Sequence, residues 1–160
     1  MLTGAWSNLM KQFHKILIVI FLFLLKFLLF PVYGVAEYGD GYYPVAAVID
    51  GDTFELIDGK EVRLIGIDAP EMWESCWQQS LQHLTTFIGG KTVYMEKDVS
   101  DTDENNRLLR YVYVKDIFVN YQMVFDGYAV AVDSLPDDKY EMQLLSAENN
   151  ARSNNRGCFW

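Results

Sequence analysis

A chain of 160 residues that is 51% hydrophobic and 22% charged suits one globular domain plus a separate apolar segment. Its net charge of −9 repels polyanions over long range, so any nucleic-acid partner has to be held by local basic groups or by a divalent cation. With two cysteines, Cys76 and Cys158, and no clustered ligand spacing, nothing in the pattern suggests a zinc site.

The apolar segment lies at the front. "ILIVIFLFLLKFLLF", Ile16 to Phe30, follows Lys11 and Lys15 and leads into Pro31 and the small residues Gly34 and Ala36. This pattern predicts a signal peptide over residues 1–36 with cleavage after Ala36, the alternative being an uncleaved membrane anchor. The run is short for a spanning helix and carries Lys26 in its middle, which favours cleavage. Met10 is an alternative start, because "MKQFHKILIV" is by itself a complete signal opening. The expected location is therefore secreted or periplasmic, or anchored and facing outward, with the leader in contact with membrane. Loss of three lysines and no acid leaves ten basic against 22 acidic residues in 37–160, a net charge of about −12. In an oxidising compartment Cys76 and Cys158 most simply form one disulfide, which would hold the C-terminal "GCFW" in place.

Residues 37–160 read as one domain. "YYPVAAVID" and "TFELI" alternate as strands, and Asp58-Gly59 is a hairpin turn into "EVRLIGI". Folding about that turn brings Asp52 close to Asp68. "WESCWQQSLQHLTTFIGG" spaces Cys76, Leu81, Leu84 and Ile88 for an amphipathic helix that stops at Gly89 and Gly90. "KTVYMEK", "RLLRYVYV" and "IFV" follow as strands. Asn120 is then expected to cap a short helix over "YQMVFDG", and Asp137 or Asp138 to cap a final helix through Arg152. Five short strands interrupted by one helix, with helices after the last hairpin, predict an α+β chain: a five-stranded OB-type β-barrel with about three helices. No feature implies more than a monomer or a protein partner.

The polar residues that punctuate these strands are chemically selective. Asp52 and Asp68 offer hard oxygen ligands suited to Ca²⁺, and Glu71, one turn further on, is free to act on water. Arg63 and Arg107 present paired, permanently charged donors to phosphate oxygens. Phosphodiester hydrolysis needs this pairing of a base for water with donors for the charge that develops on phosphorus oxygens. Strict alternation from Arg63 puts Asp68 on the opposite face of the sheet, so either Gly66 marks a bulge or the strand ends before Asp68.

The order "VIDGDT", "VRLIGIDAPE", "DENNRLLRYVYV", "VNYQMVFDGYA", from Val45 to Arg152, resembles the staphylococcal nuclease family. The resemblance implies an OB barrel and calcium-dependent hydrolysis of DNA and RNA to products ending in 3′-phosphates. It further implies calcium at Asp52, Asp68 and the backbone carbonyl of Ala69, Glu71 as general base, and Arg63 and Arg107 on the phosphate.

Departures from the family pattern fall on substrate binding. Glu104 and Asn105 stand where a Lys-Tyr pair contacts phosphate, and Asp133 and Leu135 stand where tyrosines line the nucleotide pocket. Asn106 replaces a turn glycine, which its tolerance of left-handed backbone permits. Arg110 offers either a replacement substrate contact or a surface salt bridge. Trp73, Trp77, Tyr111, Tyr113 and Phe118 are expected in core or rim packing, and His83 in solvent. Two alternatives to an active nuclease are a weak or inactive OB module binding nucleic acid or protein, and a calcium-binding structural domain that leaves Glu71 and the arginines idle.

Overall fold

A computed structural model describes Met10, residues 12–23 and residues 37–160 of the chain. It divides into two compact units, Met1–Glu37 and Tyr38–Trp160. In the first, residues 12–23 are helical and exposed, and the expected cleavage site at Gly34 to Ala36 lies outside the described residues. Among the described residues no helix is long and apolar enough to cross a membrane.

The second unit begins with β1 (Gly41–Val48), β2 (Thr53–Leu56) and β3 (Glu61–Leu64), an antiparallel meander. Gly59, at a φ of 84°, makes the β2–β3 turn at the expected Asp58-Gly59 step. The chain continues through β4 (Ile67–Asp68), α1 (Trp77–Ile88), β5 (Thr92–Glu96), β6 (Leu108–Val114), β7 (Ile117–Phe118), α2 (Val119–Phe125), β8 (Val130–Ala131) and α3 (Glu141–Ser153). The order β3-β2-β1-β5-β6-β7 closes through parallel pairing of β3 with β6, Val62 opposite Leu108 and Leu64 opposite Arg110. The result is a closed five-stranded OB-type barrel with three helices, as the strand pattern predicts. Closure removes the free edges that a three-stranded meander would expose.

Period-two alternation sends Phe54, Leu56, Val62, Leu64, Val93 and Met95 into the barrel, each at most 1% exposed. Leu84 and Ile88, four apart on α1, cap the barrel interior and are fully buried. Each such side chain stabilises the fold by about 1.5–3 kcal/mol through lost apolar area. Small residues let the helix approach: a side chain at Gly51 would collide with Ser80 Oγ and Ala69. The helix stops at Gly89, Gly90 takes a φ of 63°, and Lys91 Nζ donates to the orphaned carbonyls of Thr86 (2.8 Å) and Phe87 (2.6 Å). Cys76, at the N-terminus of α1, is disulfide-bonded to Cys158, with Cα atoms 5.5 Å apart. The tail bearing Cys158 folds against Gly127 at the end of α2, whose carbonyl accepts from Cys158 N at 3.2 Å.

Two expected caps are not caps. Asn120 lies inside α2 and is wholly buried; its Oδ1 accepts from Val112 N (2.9 Å), and its Nδ2 donates to the carbonyls of Ile65 (2.9 Å) and Arg110 (3.4 Å). It brackets α2 to β6 and to the turn after β3, satisfying polar backbone that closure of the barrel would strand. Asp137 is likewise buried, its carboxylate accepting from Ser100 N at 2.7 Å and its carbonyl from the Tyr111 hydroxyl at 3.0 Å. Helix α3 starts after Tyr140 with no side-chain cap; only the backbone carbonyl of Asp138 is used, by Glu141 N at 3.0 Å.

Candidate active site

The site forms where the β1–β2 turn, the end of β3 and β4 meet. In "DGDT" the Asp50 carboxylate accepts from Asp52 N at 3.0 Å, and the Thr53 carbonyl accepts from Ile49 N and Asp50 N at 2.9 and 3.2 Å. This compact turn aims Asp52 inward, leaving it 5% exposed. Its Oδ1 accepts from Thr53 Oγ1 (2.9 Å) and its Oδ2 from Ala69 N (2.6 Å). Burial pushes its pKa up to about 7 despite the opposing pull of Arg63 and the Ala69 amide, with neighbouring Asp50 adding to the rise. The site therefore holds a carboxylate that is costly to ionise without a further cation beside it.

Among the described residues Arg63 is the one cation already beside it. It sits on β3 opposite Thr53, with Nη1 2.6 Å from Asp52 Oδ2 and Nη2 2.7 Å from Asp68 Oδ1. The register puzzle resolves by a break in the strand: β3 ends at Leu64, Ile65 and Gly66 turn, and pairing resumes in β4, with Asp68 opposite Val130. Gly66 takes a φ of 76°, which flips the following residues and brings Asp68 to the face that carries Arg63. Nη1 of Arg63 is buried and makes no directed hydrogen bond, so its contact with Asp52 is Coulombic rather than well aligned.

Arg107 reaches the same place from the turn that leads into β6, the strand paired in parallel with β3. Asn106 adopts a φ of 62°, as its place in the turn anticipates. Asp103 organises the turn, accepting from Asn105 N (3.0 Å), Arg107 N (2.9 Å) and Arg107 Nε (2.7 Å). Burial raises the Asp103 pKa, but these donors outweigh it and hold the carboxyl below the usual carboxylate range. Arg107 Nη1 then lies 3.4 Å from Thr53 Oγ1, which itself bonds Asp52. A continuous polar chain thus runs Arg107, Thr53, Asp52, Arg63, Asp68. Both arginines line a cleft of about 520 Å³, whose wall also carries Glu104 and Leu135.

Glu71 stands on the loop between β4 and α1, three residues beyond Asp68. Its backbone N–H donates to Glu74 Oε2 (2.9 Å) and its carbonyl accepts from Glu74 N (2.9 Å), a closed turn that leaves the Glu71 carboxylate exposed. Among the described residues it forms no ion pair with either arginine. The structure thus joins Asp52, Arg63, Asp68 and Arg107 directly and places Glu71 on the adjoining loop. It also shows two contributors that the motif does not advertise, Thr53 as the link between the arginines and Asp103 as the splint of Arg107. Their polarity and their spacing from the named residues are the only sequence signals of either role.

Arg110 makes the expected ion pair, with Asp101, but from a buried position rather than the surface. It is 0% exposed, and it donates to the carbonyls of Asp101 (3.0 Å), Leu109 (2.7 Å) and Tyr38, with Nη2 2.8 Å from Asp101 Oδ1. Alternation along β6 turns it inward with Leu108 and Val112, where it ties the N-terminal edge of the unit to the 101 turn. His83 is not simply solvated: Nε2 is 2.9 Å from Asp126 Oδ2, and the ring stacks on Tyr128 with centroids 4.1 Å apart. Trp73 is not packed; it is 92% exposed at a φ of 79°, whereas Tyr111 is buried as expected.

A family model described as "Staphylococcal nuclease homologue" matches residues 61–160, which include Arg63, Asp68, Glu71 and Arg107, and leaves Asp52 just before the match. The chain belongs to the staphylococcal nuclease family. It is 33% identical over 122 residues to an uncharacterized endonuclease of Escherichia coli O157:H7, covering 72% of this chain and 74% of that protein. A thermonuclease of Staphylococcus intermedius is 32% identical over 123 residues, covering 69% of this chain and 71% of the relative. A probable staphylococcal-like nuclease of Oryza sativa subsp. japonica is 32% identical over 101 residues, 61% of this chain but 25% of that protein. The chain is accordingly a nuclease, a hydrolase of phosphodiester bonds whose substrate is nucleic acid.

Proposed function

We propose that the chain is an exported, calcium-dependent nuclease that cuts DNA, RNA or both and leaves 3′-phosphates. The observation that carries this is the Asp52–Arg63–Asp68 bridge, in which two carboxylates from separate turns converge on one positive charge. Among the described residues no cluster of three or more side-chain metal ligands exists. A cation would instead be held by Asp52, Asp68 and the Ala69 carbonyl, with water completing the shell, which suits an oxygen-seeking ion such as Ca²⁺. The raised pKa of Asp52 supports the fit, because a buried carboxylate of this kind gains most from an added cation. When bound, the ion would supply charge to polarise and orient the phosphate.

The chain's own groups then divide the work. Arg63, released from one carboxylate, and Arg107, fixed through Nε by Asp103, each present remaining guanidinium N–H groups to the phosphate oxygens. Their charges oppose the negative charge that builds on those oxygens in the transition state. Glu71, exposed and unpaired, accepts a proton from the water that attacks phosphorus. The bond from phosphorus to the 5′-oxygen breaks, that oxygen leaves and takes up a proton, and the phosphate stays on the 3′ side. Glu104 in the cleft wall opposes phosphate, which supports weak substrate binding.

Residues 1–36 fit a cleaved export signal or an anchor, Cys76–Cys158 fits an oxidising destination, and residues 37–160 fit an independent monomeric domain. The test is product analysis. End-labelled DNA and RNA cut by the full chain should yield fragments that accept 3′-end extension only after phosphatase treatment, with calcium supporting the reaction better than magnesium. Fragments carrying 5′-phosphates, or equal rates with chelator, would refute the proposal.

A further inference from the structure

Across the outside of the barrel, away from the catalytic cleft, one aromatic side chain from each of four adjacent strands stands directly opposite the next. Tyr42 of β1 pairs with Tyr94 of β5, Tyr94 with Tyr113 of β6, and Tyr113 with Phe118 of β7. Their ring centroids are 5.3, 6.3 and 4.9 Å apart in that order. Cross-strand aromatic pairs stabilise a sheet. Here, however, the rank ends in Tyr42 at 77% exposure, and among the described residues the hydroxyls of Tyr42 and Tyr94 have no hydrogen-bond partner. The rank floors a groove of about 710 Å³ that shares no lining residue with the catalytic cleft.

The charge on this groove runs against that of the rest of the chain. Lys91, whose ammonium keeps one donor beyond the two helix-end carbonyls it holds, and Lys115 line it and are exposed, and its one acid, Glu96, is neutralised by an ion pair with Lys139. In a unit that carries about twelve excess negative charges, a patch of net positive charge floored by aromatic rings fits one chemistry well. Rings stack on bases whatever their identity, and lysines outside the rank meet the phosphates.

We propose that this rank is a second nucleic-acid site, which holds single-stranded substrate by stacking on Tyr42, Tyr94 and Tyr113 and by phosphate contacts to Lys91 and Lys115. The choice of ligand class rests on the nuclease reading; the location does not. Leu109, which lines the catalytic cleft, and Tyr113 lie on one face of β6, four residues and so about 13 Å apart along the strand. That separation is within the roughly 4–16 nucleotides an OB domain covers. The site would therefore compensate for what the cleft lacks at Glu104 and Leu135, by anchoring a strand whose scissile bond lies in the cleft.

The test uses the full chain and a dye-labelled thymidine 20-mer in chelator, read by fluorescence anisotropy and checked on a gel for intact oligonucleotide. A Tyr42→Ala/Tyr94→Ala variant should bind about tenfold or more weakly. With calcium, its KM on long single strands should rise by a similar factor, and its kcat on a thymidine dinucleotide should stay at the wild-type value. Lys115→Gln, in an exposed turn, should bind more weakly and lower the slope of log affinity against log salt by about one. Unchanged 20-mer affinity in both variants would overturn the proposal, as would wild-type chain that binds no 20-mer. Concentration-dependent self-association lost in the tyrosine variant would also overturn it, by giving the rank to a second copy of the chain. Failure of the nuclease reading would appear separately, as an uncut dinucleotide with wild-type chain.

Discussion

Replacing Arg107 with alanine separates chemistry from folding. Its Nε is bound to Asp103 at 2.7 Å, while among the described residues the only other side-chain hydrogen bond is a long one of 3.4 Å from Nη1 to Thr53. The Nη groups are thus the part offered to phosphate, and removing one such preorganised donor typically costs about 2.7–4 kcal/mol at the transition state, a 10²- to 10³-fold loss of kcat. The structural loss is far smaller. Asp103 keeps its bonds from the Asn105 and Arg107 amides, so the turn stays splinted without the guanidinium. A partly exposed ion pair of this kind contributes about 1 kcal/mol or less, a Tm change of only a few degrees in a domain of this size. Steady-state cleavage of single-stranded DNA beside a thermal melt checks both halves. An Arg107→Ala enzyme within tenfold of wild-type kcat would refute the assigned role, and one that melts tens of degrees lower would refute the separation.

Asn120→Ala should be the reverse case. It strands Val112 N and the Ile65 carbonyl in the core, at about 1–3 kcal/mol for each buried unsatisfied group, and should lower Tm by roughly 10–20 °C while leaving the KM of the folded fraction unchanged. Cys158→Ser opens a crosslink spanning 82 residues, worth about 4.5 kcal/mol in the chain-entropy model, and should destabilise the purified protein by a similar margin in denaturant melts. Because the folded Asp103 pKa is depressed, its contribution to stability is complete above the unfolded value of about 3.9 and is lost as pH falls through the folded value. An Asp103→Asn variant should therefore lose less stability than wild type on acidification below about pH 4, as read by urea midpoints. Glu104→Lys removes an acid from the cleft wall and should lower KM for DNA several-fold with little change in kcat, the effect fading as salt is raised.

Local chemistry made part of this molecule legible in advance. Asp58-Gly59 announces its hairpin, Asn106 its left-handed turn, and the apolar alternation of "TFEL" and "EVRL" its inward faces. Asp52, Arg63 and Asp68 were readable as a group because one hairpin brings them together. What could not be read depends on contacts between distant segments. Asn120 looks like a cap, because asparagine before a helix usually is one; only the barrel's closure creates the Val112 and Ile65 groups that draw it inside. Arg110 looks like a surface residue until β3 pairs in parallel with β6 and Tyr38 folds across the 101 turn, supplying the carbonyls that make a buried guanidinium tolerable. His83 finds Asp126 for the same reason, 43 residues away in sequence. The tyrosine rank is likewise invisible in one dimension, since its members come from strands whose neighbours are set only by the sheet order.

The most direct measurement is cleavage of labelled single-stranded DNA by the full chain with calcium and with chelator, beside a Glu71→Gln control. Cutting that needs calcium and is lost in the control, with the Tm of the variant unchanged, is the expected result and places the base at Glu71 beside the Asp52–Arg63–Asp68 bridge. Cutting that survives either the chelator or the Glu71→Gln change would contradict the proposed chemistry at this site.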